Sequence, residues 1–269
     1  MRIPFVKMHG LGNDFVVLDA RDTALPDLAA PTVRALADRR EGIGCDQLIV
    51  LEPDAEADCR VRFYNSDGGE VGACGNGTRA VGLLLGKSAT LATKSGMLHV
   101  RPDDTGIAVD MGVPRFEWDA IPLAYAMDTL AMPVGWEELE QPAAINVGNP
   151  HVVFFVEDND AVRLETLGPR IEQDELFPER VNVNVATVED RATIRLRVWE
   201  RGAGPTRACG TGACATAVAA MRRGLVDREV TVHLPGGPLA IAWDEDDRIT
   251  MTGAATEAYR GSFEWSDYA

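Results

Sequence analysis

The stretch RACGTGACATAVAA, residues 207–220, places a cysteine at the start of a predicted helix. Cys209 stands among small residues, two glycines follow it closely, and the alanine-rich run beyond them is typical of a buried helix. The stretch GACGNGTRAVGLLL, residues 72–85, repeats this design around Cys74. The two cysteines lie 135 residues apart, about half of the 269-residue chain, which predicts two similar halves.

Other residues, most of them polar, keep the same offset to within one residue. The pairs are Gly12 with Gly148, in GNDFVV and GNPHVV, Gln47 with Asn182, and Asn65 with Glu200. Together with the two cysteines they indicate internal duplication of the chain.

The pattern of apolar residues supports two similar halves, each with several strands and one central helix. Alternation predicts strands at residues 59–65 (CRVRFYN) and 192–200 (ATIRLRVWE), each followed by a glycine-rich turn and then by a helix that opens at a cysteine. TVHLPGGPLAIAW, residues 231–243, predicts a hairpin, and short exposed helices are predicted at 31–40 and 160–172. We therefore expect more strand than helix.

Composition and charge restrict the class of protein. With 26 basic and 42 acidic residues the formal net charge is −16, which repels phosphate backbones and argues against a nucleic-acid partner. No apolar run approaches the roughly 18 residues of a membrane span, and the N-terminal segment has no apolar run of signal-peptide length. We expect a cytoplasmic protein that binds a small molecule and does not associate with membranes.

The five cysteines are an odd number and none has C-x-x-C spacing, so a structural zinc site is unsupported. Cys45, Cys59 and Cys214 are interpreted as small buried hydrophobic residues. Cys74 and Cys209 are interpreted as chemical groups because each opens a helix in a duplicated motif.

A helix start exposes unpaired N–H groups and the positive end of the helix dipole, and glycines there let an anion approach. The CGNG and CGTG turns are predicted to lower the thiol pKa and to hold a carboxylate. Two thiols on opposite sides of one carbon suit a stereochemical inversion. In that reaction one thiolate removes the α-proton of an amino acid while the other thiol delivers a proton to the opposite face. Pyridoxal phosphate need not be invoked.

At these residues the sequence resembles the diaminopimelate epimerases, which belong to a wider group of cofactor-independent two-cysteine racemases. The similar blocks run nearly end to end: MHGLGNDF (8–15), GIGCDQL (42–48), NSDGGEVGACGNGTRA (65–80), VGNPH (147–151), PERVNVN (178–184) and ERGAGPTRACGTG (200–212). The resemblance implies an α+β fold of two pseudo-symmetric domains, each of mainly antiparallel strands curled around a central helix, with the active site in the cleft between them.

We divide the chain into an N-terminal half, residues 1–117, that carries Cys74, and a C-terminal half, residues 118–269, that carries Cys209. The last residues are candidates for packing back onto the N-terminal half.

The same resemblance implies roles for individual residues. Cys74 and Cys209 match the acid–base pair, and neither a cofactor nor a metal is expected. Positions that match contacts to the reacting amino and carboxylate groups are Asn13, Gln47, Gly75, Asn76, Gly210 and Thr211. Positions that match contacts to the distal centre of the substrate are Asn65, Asn149, Asn182, Glu200 and Arg201. His151 is a candidate for assisting proton transfer.

The distal residues suit a substrate with an amino acid at each end. Arg201 can form a bidentate pair with a distal carboxylate, and Glu200 can accept a hydrogen bond from a distal ammonium. The resemblance thus implies an isomerase that interconverts LL- and meso-2,6-diaminopimelate in lysine and peptidoglycan precursor synthesis, with a homodimer as the expected assembly.

Three alternatives are distinguished by specific residues. Proline or hydroxyproline as substrate would leave Glu200 and Arg201 unpaired in a closed site, which is costly. A zinc hydrolase built on Cys74, Cys209, His151 and Glu200 lacks any ligand pair with metal spacing. A redox switch would pair Cys74 with Cys209, and we expect that disulfide only as an oxidised, inactive by-product.

A few further residues have structural interpretations. Asp14 and Asp67 are predicted to be turn and cap residues, and Arg79 is predicted to fix a helix or a salt bridge. Pro205 stands where the family usually has glutamate, and Ala73 where a larger residue is common. Neither departure touches the acid–base pair.

Overall fold

The computed structural model describes residues 1–72 and 74–268. Within these residues the chain forms nineteen strands, four α-helices and a terminal 3₁₀ turn. In chain order the elements are β1 (Arg2–Gly10), β2 (Asn13–Asp19), α1 (Ala30–Ala37), β3 (Gln47–Glu52), β4 (Cys59–Asn65), β5 (Glu70–Val71), α2 (Gly75–Leu85), β6 (Ala89–Thr93), β7 (Gly96–Asp103), β8 (Gly106–Asp110), β9 (Gly135–Trp136), β10 (Leu139–Glu140), β11 (Ala143–Asn146), β12 (Pro150–Phe155), α3 (Leu164–Glu172), β13 (Asn182–Asp190), β14 (Thr193–Glu200), β15 (Gly204–Thr206), α4 (Gly210–Arg222), β16 (Glu229–Leu234), β17 (Gly237–Trp243), β18 (Ile249–Gly253), β19 (Thr256–Glu264) and the 3₁₀ turn Trp265–Asp267. The fold is α+β, and strand exceeds helix as the sequence predicts.

The chain divides into two compact units. Unit 1 comprises Met1–Val109 together with the chain from Gly253 onward, and unit 2 comprises Asp110–Thr252. The C-terminal strand belongs to unit 1 because β19 lies antiparallel to β1 along its length. The division of the sequence into 1–117 and 118–269 stays a prediction about folding domains.

Each unit, taken by itself, has the same order of strand pairs. In unit 1, β1 and β2 pair antiparallel, β2 and β3 parallel, β3 and β4 antiparallel, β4 and β6 parallel, and β6 and β7 antiparallel. In unit 2 the same alternation joins β11 to β12, β12 to β13, β13 to β14, β14 to β16, and β16 to β17. The repeated topology supports the duplication inferred from the 135-residue offset.

The elements predicted from local patterns occur where the patterns lie. The strand predicted at 59–65 is β4, and the one predicted at 192–200 is β14, where alternate residues are buried. The predicted hairpin is formed by β16 and β17 and turns at residues 235–236. The two predicted short helices are α1 and α3. Because these patterns reflect which side faces the core, they are readable from sequence alone.

In each unit, one helix is packed within the strands. α2 packs against β1, β7 and β19, and a Cβ atom at Gly77 would lie 2.8 Å from a ring carbon of Phe63. α4 packs against β11 to β14, β16 and β17, and its alanines are almost completely buried. Glycine and alanine are therefore required because these helices lie too close to the strands for larger side chains.

Candidate active site

Both cysteines singled out from the sequence are N-cap residues. Cys74 precedes α2 with extended backbone, and its Sγ accepts a hydrogen bond from Gly77 N at 3.4 Å. Cys209 precedes α4 in the same way, and its Sγ accepts from Gly212 N at 3.3 Å. Each sulfur thus receives a first-turn N–H group that has no partner inside the helix.

Two asparagine amides lie near Cys74 in unit 1. Asn13 Oδ1 lies 3.9 Å from Cys74 Sγ and accepts from Asn76 Nδ2 at 3.2 Å, while Asn13 Nδ2 donates to Asp46 Oδ2 at 3.0 Å. Asn76 Oδ1 in turn accepts from the buried Arg79 guanidinium at 2.8 Å. Because a carboxylate only accepts and a guanidinium only donates, both amide orientations are determined. Arg79 therefore positions the helix start, as the sequence predicts.

Gln47 and Asn65 face each other on neighbouring strands. They are directly opposite in the antiparallel pair β3 and β4, and Gln47 Nε2 donates to Asn65 Oδ1 at 2.8 Å. Gln47 Oε1 is buried and has no hydrogen-bond partner among the described residues. A buried acceptor of this kind is available to a ligand donor.

Asp14 is not the turn or cap residue that the sequence predicts. Its carboxylate forms ion pairs with Arg39 at 2.6 Å and with Lys7 at 2.5 Å, and Arg39 also contacts Asp46 at 2.7 Å. Burial acts to raise the pKa of Asp14, but hydrogen bonds from Arg39 and Lys7 outweigh it and hold the pKa well below its usual range. The prediction was wrong because Arg39 is 25 residues away, beyond the reach of a local turn argument.

This ion-pair cluster predicts a loss of stability in acid. The unfolded-state pKa of an aspartate is about 3.9. Because the folded-state pKa is depressed, Asp14 stabilises the protein above that pH, and the contribution is lost as the pH falls toward the folded-state value. Between pH 5 and pH 2 we expect the wild type to lose about 2 kcal/mol more free energy of unfolding than Asp14→Asn.

Urea denaturation at a series of pH values measures this difference. Asp67→Asn is the matched control, because Asp67 caps an exposed turn by accepting from Gly69 N at 2.8 Å and belongs to no such cluster. Parallel pH curves for the wild type and Asp14→Asn would contradict the assignment.

Cys209 in unit 2 has a different environment from the one predicted. It is buried and lies within the electrostatic influence of the Glu200 carboxyl group, whose Oε1 accepts a hydrogen bond from Thr206 Oγ1 at 2.5 Å. Burial first, and the charge of Glu200 second, raise the pKa of the Cys209 thiol well above its ordinary value, and the donors at Thr211 and Gly212 only partly oppose this. Burial likewise raises the pKa of Glu200. The lowered pKa predicted for Cys209 is therefore wrong for this structure, because the helix start is outweighed by desolvation and a neighbouring carboxylate.

His151 is fully buried in unit 2, and burial lowers its pKa to about 3. Its Nε2 lies 2.9 Å from Asn149 Oδ1, and Asn149 Nδ2 donates to Thr211 Oγ1 at 3.3 Å. Its Nδ1 lies 3.1 Å from Nδ2 of Asn184. Sequence reasoning missed Asn184, although its position two residues after Asn182 on β13 places both side chains on one face of the strand.

Asn182 and Arg201, the remaining distal candidates, are joined by a hydrogen bond in unit 2. Asn182 Nδ2 donates to Pro150 O at 2.8 Å, and Asn182 Oδ1 accepts from Arg201 N at 2.9 Å. The Arg201 side chain is exposed and donates to Glu179 O at 2.9 Å. Asn182 thus ties β12 to the turn that follows β14.

The other cysteines have the environment of core residues. Cys45, Cys59 and Cys214 are buried, and burial raises the pKa of Cys45 and of Cys59 to about 11. Thiols in such surroundings are inert. Of the two departures from the family pattern, Pro205 is exposed on β15, and Ala73 lies outside the described residues.

Comparison with known proteins places the chain in a family. The family model for diaminopimelate epimerase matches residues 5–117 and 143–257. A diaminopimelate epimerase of Erythrobacter litoralis is 64% identical over 269 residues, with 100% of each chain covered, and one of Rhizorhabdus wittichii is 64% identical over 268 residues, with 100% of this chain and 98% of the relative covered. A solved phenazine biosynthesis protein of the PhzF family from Enterococcus faecalis has a TM-score of 0.72 at 14% identity, covers 98% of this chain and 100% of its own, and is similar in fold alone. The chain belongs to the diaminopimelate epimerase family.

Proposed function

We propose that this protein is an isomerase that interconverts LL- and meso-2,6-diaminopimelate by a two-base mechanism in which Cys74 and Cys209 act on opposite faces of one α-carbon. Family membership supports the substrate. The observation that carries the mechanism is that each unit presents one cysteine at the N-cap of its buried helix, with the sulfur bonded to a first-turn N–H group. Inversion requires two such groups in opposite protonation states.

In the proposed reaction from the LL isomer, the Cys74 thiolate removes the α-proton and becomes a thiol. The Cys209 thiol delivers its proton to the opposite face and becomes a thiolate. From the meso isomer the roles are exchanged, with Cys209 as the base. The two proton transfers balance, and the scheme uses only groups of the protein. Glu200 supports this scheme at Cys209, because its carboxylate can take the thiol proton and return it.

Binding of the substrate is proposed to use both ends of the molecule. N–H groups at the starts of α2 and α4, from Gly75, Gly210 and Thr211, would hold the reacting carboxylate and spread the charge of the carbanion. The buried Gln47 Oε1 suits a reacting ammonium group. The contacts proposed for these reacting groups also include Asn13 and Asn76.

The distal amino acid is proposed to be bound by Asn65, Asn149, Asn182, Glu200 and Arg201. Glu200 therefore carries two proposed roles, one at the distal ammonium and one at Cys209. A proline or hydroxyproline substrate is less well supported, because relatives at 64% identity over the whole chain are diaminopimelate epimerases.

The cellular setting is also a proposal. We propose that the enzyme acts in lysine and peptidoglycan precursor synthesis in the cytoplasm, with no nucleic-acid partner, since the net charge is −16. None of the helices described in the structure combines the length and the apolarity needed to cross a membrane. A homodimer is proposed on the basis of family membership.

The test is incubation of the reduced, cofactor-free protein with LL-diaminopimelate in deuterated water, followed by chiral separation and mass analysis. We expect the meso isomer to appear with one α-deuterium and to be absent when both Cys74 and Cys209 are replaced by alanine. No exchange and no inversion, in protein whose two thiols are free by titration, would overturn the proposed substrate. Proline and hydroxyproline would then be assayed in the same way.

A further inference from the structure

We propose that Asn184 is a positioning residue that sets the direction of a chain of hydrogen bonds running through His151, Asn149 and Thr211 and ending in an O–H donor to the Cys209 sulfur. All five residues lie in unit 2. The inference rests on the proposed function in one respect only, the use of Cys209 as an acid–base group.

The direction of the chain is determined at its buried end. Asn184 is fully buried on β13, and its Nδ2 lies 2.9 Å from Val152 O. A main-chain carbonyl only accepts, so the amide nitrogen, and not the amide oxygen, must occupy this position. The second hydrogen of that nitrogen points to His151 Nδ1 at 3.1 Å, with Asn182 O a more distant acceptor at 3.4 Å.

Each following hydrogen bond is then determined in turn. His151 Nδ1 must accept, so the neutral ring carries its proton on Nε2 and donates to Asn149 Oδ1 at 2.9 Å. The amide nitrogen of Asn149 consequently faces Thr211 Oγ1 at 3.3 Å and donates to it. Because the Thr211 oxygen accepts there, its own hydrogen is available to Cys209 Sγ at 3.6 Å. The last link therefore favours a thiolate at Cys209.

The chain of hydrogen bonds gives His151 a role other than proton transfer. Both ring nitrogens are engaged, and burial together with the nearby charge of Arg201 keeps the imidazole neutral, with a pKa of about 3. A ring that stays neutral can polarise Asn149 and Thr211 but does not take up a second proton at neutral pH. At the sulfur, Thr211 and Gly212 N favour the thiolate, whereas burial and Glu200 favour the thiol.

The surroundings of Asn184 place its amide close to the Cys209 sulfur. Its Oδ1 is buried with no hydrogen-bond partner among the described residues, which an apolar side chain would avoid. A Cβ atom at Gly212 would lie 2.7 Å from this oxygen and 3.2 Å from Cys209 Sγ. Glycine at 212 thus leaves room for the Asn184 amide beside the Cys209 sulfur, although the amide oxygen accepts no hydrogen bond from the described residues. The donor groups of Asn184 are the part that the site uses.

The first test reads the tautomer of His151 directly by nitrogen NMR of protein labelled at its four histidines, with His151→Gln to identify the signal. We expect a neutral ring with the proton on Nε2 from pH 5 to pH 8 in the wild type, and a mixture of tautomers in Asn184→Ala. A wild-type ring protonated on Nδ1, or on both nitrogens at pH 7, would overturn the proposal. This result needs no substrate and no variant of Asn184, so it is independent of the proposed function and of whether Asn184→Ala folds.

The second test is a double-mutant cycle between Asn184→Ala and Thr211→Val, measured as kcat from the meso isomer. Each single variant is expected to lower kcat about tenfold or more, since a hydrogen bond to a charged sulfur is lost. The double variant should be no slower than Thr211→Val alone, and Thr211→Ser, which keeps the hydroxyl, should restore activity. If the two losses of kcat multiply in the double variant, Asn184 and Thr211 act independently, and the proposed series of hydrogen bonds is contradicted.

Asn159→Ala is the matched control for the loss of a buried asparagine in unit 2. Its Nδ2 also donates to a main-chain carbonyl, Val185 O at 3.4 Å, but it has no link to His151. We expect the kcat and the His151 tautomer of this variant to match those of the wild type. A control variant that shifts the tautomer as Asn184→Ala does would show a general effect of destabilisation and overturn the specific role.

Discussion

Cys209→Ala is expected to slow epimerisation in both directions by about 10³-fold or more, because the proposed two-base mechanism needs an acid–base group on each face of the reacting carbon. Exchange of the α-proton should be lost from one of the two isomers only. In deuterated water the LL isomer should still take up deuterium, since Cys74 remains to remove and return the proton on its face. The meso isomer should take up none. Cys74→Ala should show the reverse pattern.

Each unit offers a matched control for this experiment. Cys214 lies farther along the same helix as Cys209, and Cys59 is buried in unit 1 on β4. Alanine at either position removes a buried sulfur with no proposed contact to substrate, so the rate should stay within a factor of about two while stability falls by about 1 kcal/mol. Chiral chromatography with mass detection measures inversion and exchange together. Inversion that survives in either Cys74→Ala or Cys209→Ala would eliminate the two-base mechanism, and an exchanged pattern of isomers would reverse the two roles.

Glu200→Gln is expected to lower kcat about 100-fold and to raise KM, because the amide keeps the shape of the side chain but can neither take the Cys209 proton nor carry the charge proposed to hold the distal ammonium. A role limited to the distal ammonium predicts a different result. In that case KM should rise, and kcat at saturating substrate should be nearly preserved. Steady-state kinetics with each isomer therefore separates the two proposed roles of this residue.

The pH dependence supplies a second readout for Glu200→Gln. The carboxylate raises the pKa of the Cys209 thiol, so its removal should lower that pKa, while the donors from Thr211 and Gly212 N remain. We expect the apparent pKa attributed to Cys209 in the profile of kcat/KM to shift downward. Glu172→Gln is the control, because Glu172 is also buried and accepts from Trp199 Nε1 at 2.7 Å, away from Cys209. An unchanged profile in Glu200→Gln would contradict direct coupling.

The features that could be predicted from the amino-acid sequence are those that depend on neighbouring residues. Alternation in CRVRFYN predicted β4 with its observed bounds, and the cysteine followed by glycines predicted two helix starts, at each of which the structure has the sulfur accept a first-turn N–H group. The 135-residue offset predicted two units with one strand topology. These predictions succeeded because strand faces and helix caps are governed by residues within a few positions of each other.

The pKa values and the hydrogen-bond directions depend on contacts between distant parts of the chain, and these contacts exist only in the tertiary structure. Asp14 pairs with Arg39, 25 residues away, and the ring of His151 takes its tautomer from Asn184, 33 residues away. The raised pKa of Cys209 follows from burial and from Glu200, neither of which is visible in the CGTG turn. Protonation depends on the solvent removed and the charges brought close by distant parts of the chain, so it is settled only when those parts pack together.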